Sequence, residues 1–232
     1  MKRIGIIGAM EEEVSKLKEM MQDVKIKEKA SMEFNVGILN GKEVVVVRSG
    51  IGKVNAGICT QILVDDFQVE GIINTGIAGS LKNEINIGDI VISTDALQHD
   101  MDAREFGYEP GQIPRMDVLA FKADDRMIDQ AEKSSHEVNP EVGVFKGRVV
   151  SGDQFIADQK VKDGIIEKFQ GYCTEMEGAA IAQAAYLNKV PFVVIRSISD
   201  KADNSASVDY PTFEKKAIEN GVRLVSHMVS QL

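Results

Sequence analysis

Two alternating patterns of apolar and polar residues run along the chain. Short continuous apolar runs, which are typical of buried strands, alternate with longer segments whose apolar residues recur at helical spacing. The pair Asn40-Gly41 joins two such runs and favours a hairpin between them. The predicted strands are 3–10, 32–39, 43–50, 71–80, 88–97, the first part of 143–156, and 191–200, and the predicted helices are 11–21, 51–67, 123–138, 161–169, 174–189 and 212–232.

This order of elements indicates one α/β domain that spans residues 1–232. Continuous apolar strands are buried on both faces, which requires helices on either side of the sheet. We therefore predict a single-domain, three-layer α/β/α fold with a mixed central sheet. Residues 99–120 interrupt the alternation as a polar, irregular segment that is longer than ordinary connections. We expect a functional or interface loop there.

Composition and charge narrow the class of protein. The chain has 232 residues, a formal net charge of −9 and no basic tract, so we expect neither a nucleic-acid partner nor binding to a membrane surface. Its first apolar run is too short for a signal peptide, and no run approaches the roughly 18 apolar residues of a membrane span. Cys59 and Cys173 lie far apart, and the three histidines are isolated. These features favour reduced thiols, no metal site and a cytoplasmic protein.

Small or polar residues close several of the predicted strands. Ligands of α/β folds bind at the carboxyl ends of strands, so these positions indicate a site. Glu13 adds to this indication, because on a helical wheel it falls on the apolar face beside Met10 and Leu17. The other segments at strand ends are 49–52, 75–79, 151–155 and 197–200.

Taken singly, the residues at these ends leave two interpretations open. Arg196 and Glu13 are either members of structural ion pairs or parts of a ligand site. Asp200 alone could cap a turn, and Phe155 alone could be a core residue. The segment 173–186 (CTEMEGAAIAQAAY) poses the same question, because two carboxylates precede a run of small apolar residues, and an unpaired buried charge is costly.

Residues 50–55 (GIGKVN) do not complete a phosphate-binding motif. Asn55 occupies the third glycine position of the dinucleotide fingerprint, and Val47 stands where a P-loop has its first glycine. The segment therefore disfavours a dehydrogenase or a nucleotide-phosphate site.

Nine segments in a fixed order carry a resemblance to a known family. They are IGIIGAMEEE (4–13), SGIGKVNA (49–56), INTGIAGS (73–80), GDIVIS (88–93), FGYEPGQIP (106–114), FKADD (121–125), SGDQFI (151–156), EMEGAAIA (175–182) and PFVVIRSISDKAD (191–203). These segments run from residue 4 to residue 203 and coincide with the strand ends described above. In them the chain resembles the bacterial 5′-methylthioadenosine/S-adenosylhomocysteine nucleosidases of the purine nucleoside phosphorylase-like superfamily.

This resemblance implies hydrolysis of the bond between adenine and a 5′-thio-substituted ribose, with no metal and no organic cofactor. The implied substrates are 5′-methylthioadenosine, S-adenosylhomocysteine and 5′-deoxyadenosine, and the preference among these and aminodeoxyfutalosine stays open. Asp200 would be the general acid that protonates the leaving adenine, and Glu13 the general base that activates water, as in an inverting glycoside hydrolase. Their environments should keep Asp200 protonated and Glu13 ionised.

The resemblance also implies the substrate contacts. Glu177 would accept hydrogen bonds from the ribose hydroxyls, Met176 would lie against the sugar, and Phe155 would stack on adenine. Glu175 would have a supporting role, because two helical residues at i and i+2 point about 200° apart. The other implied contacts are Ile51 and Tyr210 at the 5′-thio end, Ile156 at the purine edge, Ser199 beside Asp200, Arg196 near the acids, and Ala78 and Gly79 in the strand-end turn.

The long loop and one unusual residue complete the expectations. Phe106 and Pro114 would reach into the site of a neighbouring subunit, so we expect a homodimer. Ile77 departs from the serine found in this turn of many relatives, which removes a hydroxyl donor and disfavours phosphate as the nucleophile. Two rivals remain: a purine nucleoside phosphorylase of the same fold, which would need donors for phosphate, and a non-catalytic nucleoside-binding module, which would need no acid opposite a base.

Overall fold

A mixed ten-stranded sheet forms the centre of the computed structural model, which describes residues 1–232. Helices cover the sheet, as the apolar strands require, and the predicted α/β class is confirmed. The strands are β1 (Arg3–Gly8), β2 (Gln22–Lys29), β3 (Met32–Leu39), β4 (Lys42–Arg48), β5 (Gly71–Ser80), β6 (Ile90–Gln98), β7 (Phe121–Lys122), β8 (Val144–Ser151), β9 (Cys173–Glu175) and β10 (Phe192–Asp200).

Six α-helices connect or flank these strands. They are α1 (Glu11–Glu19), α2 (Lys53–Phe67), α3 (Asp125–Val138), α4 (Gln159–Phe169), α5 (Gly178–Asn188) and α6 (Ala206–Gln231), and a short 3-10 helix spans Arg104–Phe106. None of the helices has the length and apolarity needed to cross a membrane.

The strand order brings the predicted ligand-binding ends together. β5 lies parallel to both β1 and β10, and β1 lies parallel to β4. The strands β10, β6, β8, β9 and β5 pair in a closed ring, because β10 pairs with β5 as well as with β6. The carboxyl ends of β1, β4, β5 and β10 therefore meet along one edge, where ligands of α/β folds bind.

The hairpin prediction at Asn40-Gly41 is confirmed. β3 and β4 are antiparallel, with Leu39 opposite Lys42. Asn40 and Gly41 both have positive φ, at 48° and 81°. This is the backbone of the tight turn that suits the twist of paired strands, and Asn-Gly is the pair that adopts it at least cost.

The structure differs most from the prediction at β2 and at the starts of α5 and α6. Strand β2 was not predicted, because all its residues are exposed and its charged sequence carries no apolar pattern; it is an edge strand that pairs only with β3. The predicted helix 174–189 begins instead at Gly178, after the short strand β9. The last helix begins at Ala206 rather than at residue 212, and Pro211 lies within it.

Candidate active site

A cavity of about 580 Å³ lies where the ends of the central strands meet the start of α6. This volume falls in the usual range for small-molecule sites. Its walls combine apolar side chains with three buried glutamates and one buried aspartate. The lining residues are Ala9, Met10, Glu13, Ile51, Ile77, Ala78, Gly79, Gln154, Phe155, Ile156, Thr174, Glu175, Met176, Glu177, Ser199, Asp200, Ser207, Tyr210 and Pro211.

Glu13 is held in this cavity by backbone donors from two elements. Its side chain lies in the first turn of α1 and is buried, which confirms the burial predicted from the helical wheel. Its Oε2 accepts hydrogen bonds from the backbone nitrogens of Ala9 (2.7 Å) and Met10 (3.0 Å), and its Oε1 accepts one from the backbone nitrogen of Ile77 (3.1 Å). These three N–H groups fix the carboxylate at the end of β1.

Asp200 ends β10 on the same cavity. It is 2% exposed. Its Oδ2 accepts a hydrogen bond from the hydroxyl of Ser199 at 2.9 Å, and its Oδ1 accepts one from the backbone nitrogen of Ala202 at 2.7 Å. Asp200 is therefore oriented by the residue before it and by the residue two positions after it in the chain.

Two glycines of β5 place the two carboxyl groups relative to each other. A Cβ at Gly76 would lie 2.5 Å from Oε1 of Glu13, and a Cβ at Gly79 would lie 2.8 Å from Oδ1 of Asp200. Three residues along a strand span about 10 Å. The two carboxyl groups thus lie beside separate points of β5 and line one cavity.

Glu175 lies on the cavity wall, and its carboxylate is held in a buried polar cluster. It accepts hydrogen bonds from the hydroxyl of Ser151, from Nη2 of Arg196, and from the backbone nitrogens of Glu177 and Gly178. It belongs to β9, so the helical geometry considered for it and Glu177 does not apply. Four donors offset the cost of burying its charge. One of the two carboxylates of the segment 173–186 is thus satisfied within the protein.

The other carboxylate, Glu177, has fewer partners. It occupies the N-cap position of α5, where its Oε1 accepts a hydrogen bond from the backbone nitrogen of Gly52 at 2.8 Å and its Oε2 lies 3.9 Å from Nη2 of Arg196. Burial and the neighbouring Glu175 raise its pKa to about 8, against the opposing effect of Arg196. Its spare acceptor capacity faces the cavity and is available to a ligand.

Burial also raises the pKa of both Glu13 and Asp200 above the ordinary values. For Glu13 the Arg196 guanidinium and the three backbone N–H groups oppose this rise. For Asp200 the Ala202 N–H and the Ser199 hydroxyl oppose it. Burial thus shifts both pKa values in the same direction, and the separation between a protonated Asp200 and an ionised Glu13 stays a prediction.

Arg196 is the one predicted contact residue that lies behind the cavity rather than on its wall. Its guanidinium is 1% exposed and binds Glu175 together with the side-chain oxygen of Asn74, at 2.6 Å for the latter. The sequence left open whether Arg196 belongs to a structural ion pair or to a ligand site. It does both, because its ion pair with Glu175 also neutralises charge beside Glu13 and Glu177.

Aromatic and apolar residues line the more open part of the cavity. The rings of Phe155 and Tyr210 meet edge to face with centroids 5.8 Å apart. Phe155 and Ile51 are each 53% exposed, so the face of the phenyl ring is accessible to a flat ligand. The Tyr210 hydroxyl donates to Glu214 at 3.1 Å.

Most of the residues predicted for the site line this cavity, whereas Arg196, Phe106 and Pro114 do not. Phe106 is 83% exposed on the 3-10 helix, and neither it nor Pro114 reaches the cavity of its own chain. The sequence reasoning missed Ser207 and Pro211, because it began the last helix too late. It also missed Ala9, Met10, Gln154 and Thr174, whose positions beside named residues were the only signal available. No group of three or more His, Cys, Asp or Glu side chains is arranged to hold a metal ion.

Comparison with known proteins places the chain in a family. Residues 3–230 match the model of the phosphorylase superfamily. A 5′-methylthioadenosine/S-adenosylhomocysteine nucleosidase from Halalkalibacterium halodurans is 43% identical over 233 residues, covering all of both chains. The crystal structure of such a nucleosidase from Neisseria meningitidis, in complex with methylthio-immucillin-A, matches with a TM-score of 0.97 and 37% identity over all of both chains. A nucleosidase structure from Colwellia psychrerythraea, in complex with adenine, matches with a TM-score of 0.96 and 41% identity, covering 100% of this chain and 96% of that one. The chain therefore belongs to the phosphorylase superfamily and, within it, to the family of 5′-methylthioadenosine/S-adenosylhomocysteine nucleosidases.

Proposed function

We propose that the protein hydrolyses the N-glycosidic bond of 5′-methylthioadenosine, S-adenosylhomocysteine and 5′-deoxyadenosine, releasing adenine. The observation that carries this proposal is the presence of two buried carboxyl groups, Glu13 and Asp200, at separate points of one cavity. A pair of carboxyl groups with space for a water between them is the arrangement of an inverting glycoside hydrolase.

The two carboxyl groups divide the proton transfers of the reaction. Asp200 gives its proton to the imidazole-ring nitrogen of adenine while the carbon–nitrogen bond breaks and its electron pair passes to the base. Glu13 takes a proton from a water molecule, whose oxygen bonds to the anomeric carbon. The raised pKa of Asp200 supports the acid role, because a buried carboxyl group keeps its proton to higher pH.

Glu177 is proposed to bind the ribose. Its carboxyl oxygens can accept oriented hydrogen bonds from the sugar hydroxyls. Its pKa is raised to about 8, so the ionised form gains population as the pH rises towards 8. That form accepts the stronger hydrogen bonds, and its negative charge stabilises the cationic character that develops in the transition state. Met176 contributes an apolar contact to the sugar, and Ile51 with Tyr210 surrounds the 5′-thio group. Phe155 offers the ring on which adenine stacks, beside the backbone of Ile156.

Hydrolysis is favoured over phosphorolysis by the charges of the site. Three buried glutamates surround a single guanidinium, that of Arg196, which is already bound by Glu175 and Asn74. A phosphate dianion would meet Glu13 without a free cation to pair with. Ile77 offers no side-chain donor there, and its backbone N–H is occupied by Glu13.

A homodimer is proposed on the evidence of one exposed apolar face. Helices α2 and α5 pack side by side, and both leave large apolar side chains exposed, including Val54 at 72% and Leu187 at 62%. A second cavity of about 320 Å³ opens on this face. A second copy would cover the face and bring Phe106 of its loop towards the first copy's site. The free, buried thiols of Cys59 and Cys173 support the proposed cytoplasmic location.

The test is release of adenine by the purified protein from each nucleoside, with and without phosphate. We expect release without phosphate, and we expect Asp200→Asn and Glu13→Gln each to reduce turnover at least 100-fold, the usual size of a general acid or base contribution. The matched control is Glu12→Gln, which alters an exposed glutamate beside Glu13. Phosphate-dependent release would favour the phosphorylase, and binding of nucleosides without release would favour a binding module.

A further inference from the structure

Lys162 is a buried lysine behind the segment that follows Asp200. It lies on α4 and is 4% exposed, and it does not line the cavity. Its Nζ donates a 2.6 Å hydrogen bond to the carbonyl oxygen of Lys201, whereas the nearest carboxylate, that of Asp203, is 3.9 Å away. Burial of an ammonium group is costly, and it lowers the pKa of Lys162. The main partner of this buried charge is thus a carbonyl oxygen rather than a carboxylate. An apolar side chain at this position would avoid the cost of burying the charge.

That carbonyl oxygen belongs to the peptide group that contacts Asp200. The same peptide group carries the backbone N–H of Ala202, which donates the 2.7 Å hydrogen bond to Oδ1 of Asp200. A peptide group is planar and rigid, and its C=O and N–H point in opposite directions. Lys162 therefore holds the C=O of this peptide group, while the N–H of the same group donates to the carboxyl group of Asp200.

The conformation at Ala202 requires this kind of support. Ala202 has φ of 52° and is fully buried, and the left-handed region costs a residue with a Cβ about 1–2 kcal/mol. The preceding residue is anchored as well, because Nζ of Lys201 donates to the carbonyl oxygens of Asn83 and Ile85. Two lysines thus hold a segment whose backbone would relax if it were free.

We propose that Lys162 is a positioning residue for the general acid, holding the Lys201–Ala202 peptide group so that its N–H orients the carboxyl group of Asp200 towards the base. This inference rests on the proposed acid role of Asp200. Through Lys162, helix α4 would influence the proton transfer although none of its residues lines the cavity.

The inference predicts a shift in the pH dependence of turnover. The groups that face Asp200 are the Ser199 hydroxyl and the Ala202 N–H, the carboxylates of Asp203 and Asp209, and the ammonium of Lys162. Lys162 favours the ionised acid, both through its charge and through the peptide N–H that it orients. Its removal should therefore move the alkaline limb of kcat, where the acid loses its proton, to higher pH, while the misoriented acid works more slowly.

The experiment compares Lys162→Met, which keeps the stem without the charge, with Lys162→Arg, which keeps both charge and donors. Lys160→Met is the matched control, because Lys160 is exposed on the same helix. For Lys162→Met we expect kcat to fall on the order of tenfold, KM to stay within about twofold, and the alkaline limb to rise. Lys162→Arg should restore most of kcat and return the limb towards its original position.

The outcomes separate this inference from the proposed function. If folded Lys162→Met keeps the parent kcat and alkaline limb while Asp200→Asn is inactive, the positioning role is overturned and the acid role stands. If Asp200→Asn keeps its turnover, the acid role itself is overturned. Should Lys162→Met fail to fold, Lys162→Leu decides, because it removes both the donor and the charge: a raised limb supports the inference, and an unshifted limb overturns it.

Discussion

Gly76 is the position where the smallest change should displace Glu13, the proposed catalytic base. A Cβ there would lie 2.5 Å from Oε1 of Glu13 and 3.0 Å from Nη1 of Arg196, so the first contact falls about 0.9 Å short of the 3.4 Å at which ordinary van der Waals contact begins. Glu13 has little freedom to yield, because three backbone N–H groups hold its two oxygens. The substitution Gly76→Ala must therefore move the carboxylate or the strand by most of an ångström.

This displacement should lower both kcat and the free energy of unfolding. A misplacement of about 1 Å in a catalytic group can lower the rate about 100-fold, and overpacking of a buried site costs about 1–3 kcal/mol. For Gly76→Ala we expect kcat to fall about 100-fold with a smaller change in KM, since Glu13 is proposed to act on water rather than on the nucleoside. The free energy of unfolding should fall by about 1–3 kcal/mol, which leaves the variant folded.

The assay follows adenine release at 25 °C and measures unfolding in urea on the same samples. Gly164→Ala is the control: no atom lies within 4 Å of the added Cβ, and alanine in a helix is favoured over glycine by about 1 kcal/mol. This variant should keep its activity and gain stability. A folded Gly76→Ala protein with kcat within threefold of the parent would refute the placement of the base against β5.

Three further predictions concern the other parts of the site. Glu177→Gln should weaken the pH dependence of stability between pH 4.5 and about 8. In this range the folded parent keeps a proton on Glu177 that the unfolded chain has released, so the parent's free energy of unfolding falls as the pH rises. Urea titrations at pH 5 and pH 8 test this, and an equal fall in the parent and the variant would contradict it. Phe155→Ala should raise KM about tenfold with a smaller effect on kcat, since stacking of a base on an aromatic ring contributes about 1–3 kcal/mol; steady-state kinetics would count against the stacking role if KM were unchanged. Phe106→Ala and Asp200→Asn, each weakly active alone, should regain activity when mixed and allowed to exchange subunits, because a mixed dimer has one site with both native side chains; no recovery in a verified mixed dimer would exclude the cross-subunit contact.

Several features of the site followed from local sequence alone. The helical wheel gave the burial of Glu13, because the side chain's direction depends only on its position in the first turn of α1. The order of apolar strands predicted the fold class, and the polar residues that close them marked where the cavity lies. The Asn40-Gly41 turn was predictable for the same reason, since its backbone is set by two residues.

Other features depended on distant contacts and could not be read from the pattern. Strand β2 is charged and exposed, and it exists because it pairs with β3. β9 interrupts a segment with a helical pattern because Cys173 and Thr174 pair with the end of β5. The prediction began α6 at Thr212, directly after Pro211, whereas the helix starts at Ala206 and continues through this proline, which removes one backbone N–H donor from the second turn.

The sequence by itself determined the fold class, the hairpin, the edge of the sheet that carries the cavity, and the burial of Glu13, because each depends on local periodicity or on the rule that parallel strands end together. The tertiary structure decided that Glu175 is paired with Arg196 while Glu177 is left to a ligand, and that Lys162 supports the peptide group beside Asp200. These assignments join residues far apart in the chain, and the free energy of a buried charge depends on which donors surround it rather than on its neighbours in sequence.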